Sequence, residues 1–133
     1  MNRIVVQKFG GTSVDGPERV KAVAKRIAAS WRRGTRVVAV VSAPGDMTDI
    51  LLDQARKVSP SPSAREVDML LSTGEQQSIA LMAMAIEAHG IPALSLTGHQ
   101  VGILTDGVHS QARIVTMGLE RVRRALRQGR IPV

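Results

Sequence analysis

The sequence has no cysteine and almost no aromatic residues. Without cysteine the chain can form no disulfide, bind no metal through thiolate and use no cysteine nucleophile. Because this fits a reducing compartment, we expect a cytoplasmic location. Phe9 and Trp31 are the only aromatic residues, so the core is expected to consist of Val, Ile, Leu, Ala and Met. Such a core suits parallel sheets and helices better than an aromatic-rich sandwich.

Long hydrophobic runs are also missing. The longest, IALMAMAI at residues 79–86, is far shorter than the roughly 20 residues that cross a bilayer. We therefore predict no membrane-spanning segment. A chain of 133 residues is long enough for one domain, which would bury roughly two-thirds of its unfolded surface.

Positive charge exceeds negative charge, and the formal net charge is +7. Much of it lies in two amphipathic segments, ERVKAVAKRIAASWRR and ERVRRALRQGR, whose basic residues would occupy an outer face. The simple interpretation is a solvated surface, and the alternative is attraction of anions such as nucleotides or nucleic acid. Nucleic acid is not predicted as a partner, because no aromatic stacking platform or groove-reading motif accompanies the charge.

The first half of the chain alternates strand and helix signals. A strand is predicted over residues 3–9, and a helix with apolar residues on one face over residues 17–33. Residues 35–43, TRVVAVVSA, are typical of a strand buried on both faces of a parallel sheet. A second helix is predicted over residues 47–58. This alternation predicts an α/β fold with a mainly parallel central sheet flanked by helices, in three layers.

A proline-containing segment separates the two halves. Residues 59–63, SPSPS, cannot continue a helix, and we interpret them as an exposed loop rather than an interdomain linker. Helix is predicted over residues 64–89, with a break near residues 72–75. At this point Thr73 and Gln76 have the spacing of a capping box, which would start a new helix.

Residues 90–133 again combine strand, turn and helix signals. A strand is predicted over residues 90–96, a small hairpin within residues 97–107 and a helix over residues 110–128. Residues 130–133, RIPV, resemble the opening of another strand. We therefore predict a sheet that is incomplete at the C-terminus, and a chain that is the N-terminal part of something longer.

A glycine loop follows the first strand, in VVQKFGGTSVDG. Ligands of open α/β sheets bind at the carboxyl ends of the strands, where KFGGTS, SAPGDMTD and TGHQVG are expected. Gly10 and Gly11 allow close backbone approach, and their N–H groups can bind an anion beside Lys8. A Gly-Gly pair alone is more often a tight turn. The sequence contains neither a Walker A loop nor a dinucleotide fingerprint.

Four segments in order resemble the aspartate kinase branch of the amino acid kinase family. They are KFGGTSV, VVSAPGDMTDILL, LLSTGEQQSIALMAMAI and SLTGHQVGILTDGVHSQARI. The resemblance extends over residues 1–133 and corresponds to the N-terminal portion of the catalytic domain, with no regulatory ACT domain. It implies an ATP-binding transferase that phosphorylates the β-carboxylate of L-aspartate to 4-phospho-L-aspartate. This is the first step towards lysine, threonine and methionine, and ATP and Mg²⁺ are the implied cofactors.

The resemblance also implies roles for individual residues. Lys8, as the catalytic lysine, and Gly10 and Gly11 correspond to groups that contact the ATP phosphates. Four residues correspond to the L-aspartate site: Ser13, Ser42, Thr48 and Glu75. Glu75 would bind the substrate ammonium, and Ser42 is the weaker candidate. Each has a structural alternative, since hydroxyls cap turns and Glu75 could complement a helix dipole.

Other interpretations stay open at this point. The chain could belong to another amino acid kinase, acting on acetylglutamate, glutamate or UMP, although STGEQQ and SAPGDMTD favour aspartate. It could also be a non-catalytic nucleotide-binding module. His89, His99 and His109 lack metal-ligand spacing and are interpreted as structural or exposed, and no metal ligand is assigned. We expect a homo-oligomer or association with the rest of an enzyme, and an isolated chain without activity.

Overall fold

The computed structural model describes residues 3–133 as a mixed α/β arrangement. Its first half contains β1 (Ile4–Phe9), a 3₁₀ turn (Gly11–Ser13), α1 (Pro17–Arg32), β2 (Arg36–Val41) and α2 (Met47–Val58). Its second half contains α3 (Ala64–Glu87), β3 (Ala93–Leu94), α4 (Gly98–Val101), β4 (Ile103–Thr105), β5 (Ile114–Met117), α5 (Glu120–Arg127) and β6 (Ile131–Pro132). Across residues 3–133, none of these helices has both the length and the apolar character needed to cross a membrane.

The strand pairing is mainly parallel, as predicted. β1 and β2 run parallel, with Ile4 opposite Arg36 and Phe9 opposite Val41. β3 and β6 are also parallel, and β6 lies beside β2. Only the β4–β5 pair in the described residues is antiparallel. Because β1 and β2 point the same way, the segments that follow Phe9 and Val41 leave the sheet at the same edge.

The core is aliphatic, as the composition predicts. Val37, Ala39 and Val41 of β2 pack with residues of α1 and α3. Phe9 also belongs to this cluster, and the partly buried Trp31 packs against it. The fully buried large side chains are Ile27, Val37, Met82, Ile86, Ile131 and Pro132. β1 alternates accordingly: Phe9 is buried, whereas Ile4 and Val6 are exposed. One face of β1 thus faces the core and the other stays open.

The predicted break near residues 72–75 is wrong, because α3 runs without interruption through them. The hydroxyls of Ser72 and Thr73 donate to the carbonyls of Met69 and Leu70, each at 2.7 Å. They therefore bond to the preceding turn of the same helix and cap no new one. This back-bonding is the common way for a mid-helix Ser or Thr to satisfy its hydroxyl.

A capping box does form, but further along the chain. The Gln100 N–H donates to Thr97 Oγ1 at 3.2 Å, and the Thr97 N–H donates to Gln100 Oε1 at 3.0 Å. These reciprocal bonds start α4. The same Thr-x-x-Gln spacing thus caps a helix in one place and lies inside a helix in the other.

The predicted helix over residues 110–128 is wrong in its first half. β5 occupies Ile114–Met117 and pairs with β4, so that Ile103 lies opposite Met117. The run Ile-Val-Thr-Met favours strand, and the Gly118 N–H donates to the Gly102 carbonyl at 2.9 Å. Helix therefore begins only at α5. The hairpin predicted within residues 97–107 is wrong in its extent, because only β4 lies there and its partner strand is β5.

Two methionines of α3 allow a matched test of the core. Met82 is 0% exposed and Met84 is 62% exposed. We expect Met82→Ala to lower the free energy of unfolding by about 2–5 kcal/mol, because it leaves a cavity. Met84→Ala should change it by less than about 0.5 kcal/mol. Urea unfolding with unchanged m-values measures both, and equal losses would contradict the assigned core.

Candidate active site

Lys8 lies near the carboxyl end of β1, where it is paired with Val40 of β2. Its side chain is exposed, and strand alternation puts it on the open face together with Val6. Gly10 follows in an extended conformation, and the Ser13 N–H donates to its carbonyl at 2.9 Å to close the 3₁₀ turn. The lysine therefore stands at the end of an open strand face, directly before the glycine loop.

The two glycines have different surroundings. A Cβ on Gly11 would lie 2.6 Å from the Ala43 carbonyl oxygen, whereas a Cβ on Gly10 would meet no atom within 4 Å. Gly11 therefore has a packing reason to be glycine, and Gly10 has none within the protein. Among residues 3–133, the N–H groups of Gly10 and Gly11 donate to no carbonyl. Two unpaired donors beside a lysine suit an anion that approaches the backbone at Gly10.

The turn after β2 packs directly on this loop. The Ser42 N–H donates to the Phe9 carbonyl at 3.2 Å, and the Gly45 N–H donates to the Gly11 carbonyl at 3.1 Å. Gly45 has a positive φ of 48°, and a Cβ there would lie 2.7 Å from Asp15 Oδ1. The meeting of KFGGTS and SAPGDMTD at one sheet edge, expected from parallel strands, is thus present.

The hydroxyl candidates flank this edge. Ser13 ends the 3₁₀ turn with an exposed side chain, Thr48 is exposed in the first turn of α2, and Ser42 is partly buried. Ser13 belongs to the glycine loop itself, and Ser42 and Thr48 lie in or just after the turn whose backbone bonds to that loop. The roles of these three hydroxyls stay predictions.

Glu75 lies in the middle of α3 and is exposed. It is therefore not at a helix start, and complementing a helix dipole cannot explain it. Its side chain lines a cavity of about 500 Å³ between β2, α3, α4 and the β4–β5 hairpin. Among the described residues that line this cavity, Glu75 is the one titratable group; Lys8 lies outside. The walls are mostly apolar, with Val6 and Val40 from the open strand face.

Gly74 brings α3 against the turn after β2. A Cβ on this buried glycine would lie 2.9 Å from Ala43 Cβ and 3.3 Å from Met47 Cγ. Glycine inside a helix costs about 1 kcal/mol relative to alanine and commonly has a packing reason. The glycine in STGE therefore marks a packing contact inside α3, and not the helix break predicted at this point. KFGGTS, SAPGDMTD and STGE therefore meet at Ala43.

A polar contact joins α3 to the loop between β4 and β5. The Ser110 N–H donates to Asp68 Oδ2 at 3.0 Å, and His109 Nδ1 lies 3.0 Å from the same oxygen. The hydrogen bond from Ser110, with the neighbouring His109, lowers the pKa of the Asp68 carboxyl. His109 is thus engaged in a structural contact, and no group of three or more His, Asp or Glu within residues 3–133 is arranged for a metal ion.

The chain is similar to aspartokinases over nearly its whole length. It is 52% identical over 130 residues to the aspartokinase of Geobacillus stearothermophilus, covering 98% of this chain and 32% of that protein. It is 53% identical over 128 residues to the aspartokinase of Mycolicibacterium smegmatis, covering 96% and 30%. The chain therefore spans about a third of the length of the curated relatives it matches.

Solved structures show the same fold. The aspartate kinase from Synechocystis superposes with a TM-score of 0.84 at 49% identity, covering 98% of this chain and 21% of that chain. The E. coli aspartokinase III complex with aspartate and ADP superposes with a TM-score of 0.80 at 17% identity, over 98% of this chain and 40% of that one. The model of the amino acid kinase family matches residues 3–133. The chain therefore belongs to the amino acid kinase family.

Proposed function

We propose that residues 1–133 form the N-terminal portion of the catalytic domain of an aspartate kinase. In this proposal the γ-phosphoryl group of ATP is transferred to the β-carboxylate of L-aspartate. The observation that carries it is the packing of the glycine loop, the turn after β2 and the helix bearing Glu75 around Ala43. Identity of about half to aspartokinases along the chain supports the choice of substrate.

The glycine loop would hold the phosphates. Phosphoryl transfer has a charge-rich transition state, and its catalysis depends mainly on positioning and electrostatic stabilisation. Lys8 would supply a positive charge there, and the unpaired N–H groups of Gly10 and Gly11 would supply backbone donors. The open space beside Gly10 allows the phosphate to reach the backbone. These groups offset the repulsion between two anionic reactants.

Glu75 would select an amino acid as the acceptor. The β-carboxylate of aspartate is ionised at pH 7 and needs no general base. The Glu75 carboxylate, placed on a mostly apolar cavity, would attract the substrate ammonium more strongly than it would in water. Ser13, Ser42 and Thr48 would contribute hydroxyls near the reacting carboxylate. Glu75 thus binds and orients the substrate, and Lys8 acts on the transferred group.

Mg²⁺ bound to ATP would neutralise phosphate charge. The described residues contain no acidic cluster that would hold such an ion, so its ligands are not assigned to this chain. The cytoplasmic location, the homo-oligomer and the use of the product for lysine, threonine and methionine stay predictions.

We expect Glu75→Gln to raise the aspartate KM by about 10-fold to 100-fold, because an ion pair to the ammonium is lost. The ATP KM should change by less than about twofold. Steady-state kinetics of the full-length protein measure both constants. Glu87→Gln, the same change at an exposed position near the end of α3, is the matched control.

The same assay tests the substrate itself. ADP release is compared with L-aspartate, acetylglutamate, glutamate and UMP as acceptors. Aspartate-dependent release is expected, and preference for another acceptor would contradict the proposal. ATP binding without ADP release for any acceptor would favour a non-catalytic nucleotide-binding module. An aspartate KM that is unchanged in Glu75→Gln would leave the acceptor assignment intact but remove Glu75 from the site.

A further inference from the structure

The turn at Ala43 lies between the glycine loop and α3. On one side the Gly45 N–H donates to the Gly11 carbonyl, and a Gly11 Cβ would come within 2.6 Å of the Ala43 oxygen. On the other side a Gly74 Cβ would come within 2.9 Å of Ala43 Cβ. Ordinary van der Waals contacts of a Cβ are 3.4–4 Å. The turn therefore packs against Gly11 on one side and Gly74 on the other, and neither position has room for a side chain.

Gly74 is an unexpected residue for its position. It is buried inside the uninterrupted helix α3, and glycine is among the least favourable residues in a helix interior. Its φ is not positive, so helical geometry alone would allow alanine there. The close approach of Ala43 and Met47 is thus the reason that the structure provides for a glycine at this point.

The contact has a consequence for the neighbouring side chain. Glu75 is the next residue on α3, and the helix is rigid between them. Two contacts therefore determine the distance from the Glu75 carboxylate to the glycine loop. They are the contact of Gly74 with Ala43 and the contact of Ala43 with Gly11. A larger residue at position 74 would push α3 and Glu75 away from the loop, while the loop itself would keep its bond to Gly45.

We propose that Gly74 is a positioning residue, whose contact with Ala43 sets the spacing between the phosphate-binding loop and the ammonium-binding carboxylate. This inference rests on the proposed function. It assigns to Gly74 no contact with substrate and no part in the chemistry. Gly74 determines the position of Glu75, so a change at Gly74 affects the binding of aspartate rather than the binding of ATP.

The test uses a compensating pair in the full-length protein. Gly74→Ala is expected to raise the aspartate KM by about tenfold or more, because the displaced Glu75 would lose its ion pair with the substrate ammonium, as in Glu75→Gln. The ATP KM should stay within about twofold. Ala43→Gly removes the Cβ that the new methyl group would meet. The double variant should return the aspartate KM to within about threefold of wild type.

A second glycine variant serves as the control for the rescue. Gly11→Ala would meet the backbone oxygen of Ala43, which Ala43→Gly retains, so this pair should show no rescue. If the Gly74→Ala protein does not fold, the double variant is examined alone. A folded double variant with near-normal aspartate KM supports the inference, and a KM raised about tenfold overturns it.

The results separate this inference from the proposed function. An active wild type whose aspartate KM responds to Glu75→Gln, but not to Gly74→Ala, overturns the positioning role alone. A rise in both KM values without rescue by Ala43→Gly also overturns it, since that pattern indicates general damage to the fold. A wild type with no aspartate-dependent ADP release overturns the proposed function and, with it, the inference.

Discussion

Lys8→Ala is expected to lower turnover by about 10²–10³-fold, the usual cost of removing one preorganised electrostatic contact to the transition state. The lysine is exposed at the end of β1, and its backbone pairing with Val40 does not depend on the side chain. The substitution therefore removes charge without removing a core group. The loss should be in kcat as well as in kcat/KM, because the charge on the transferred group matters most in the transition state.

The experiment compares two lysines in the full-length protein. Lys21→Ala is the control, since that side chain is exposed on α1 and pairs with Glu18 at the surface, an interaction of about 0–1 kcal/mol. Its turnover should match that of wild type. Circular dichroism and thermal unfolding establish that both variants are folded. Near-normal turnover of Lys8→Ala would remove the lysine from the phosphate site.

The first half of the fold was predictable because its local signals agree with one another. The helix predicted over residues 17–33 appears as α1, Pro17–Arg32, and α2 has the predicted bounds Met47–Val58. In both segments the apolar spacing, the preceding turn and the following breaker indicate the same element. Four of the six residues of the strand between them are valine, which leaves little ambiguity.

In the second half, some segments form helix or strand according to a partner that lies far away in the sequence. Ile114–Met117 has apolar residues that also fit a helical face, and only pairing with β4 makes it a strand. Thr73 and Gln76 have capping-box spacing, but α3 continues through them, and Gly74 between them packs on Ala43. Neither partner is adjacent in sequence, so local spacing could not identify it.

In the candidate site, too, some contacts could be predicted from the sequence and others could not. Parallel strands predict that KFGGTS and SAPGDMTD meet at one edge, and the bond from Gly45 to Gly11 is present. The different surroundings of Gly10 and Gly11 could not be predicted, because they depend on the position of the Ala43 carbonyl. The location of Glu75 on a cavity likewise depends on the hairpin, which comes about 30 residues later in the chain.

Residues 1–133 alone are expected to show no aspartate phosphorylation. L-Aspartate carries two carboxylates. The residues that line the described cavity include Glu75, which could pair with the ammonium, but no lysine or arginine that could pair with a carboxylate. The ammonium would be bound while both carboxylates would lack a positive partner, so the substrate would not be held in a reactive position.

The purified 133-residue chain is assayed with saturating ATP and aspartate, by coupled ADP release and by hydroxylamine trapping of the acyl phosphate. The signal is expected to be at least about 10²-fold below that of the full-length protein, because misplacement of the acceptor by about 1 Å already costs this much. The glycine loop lies wholly within the chain, so weak ATP binding that Lys8→Ala reduces is expected to persist. Turnover comparable to that of the full-length protein would mean that these residues hold both carboxylates themselves, and the assignment of Glu75 and the cavity to the acceptor would then be wrong.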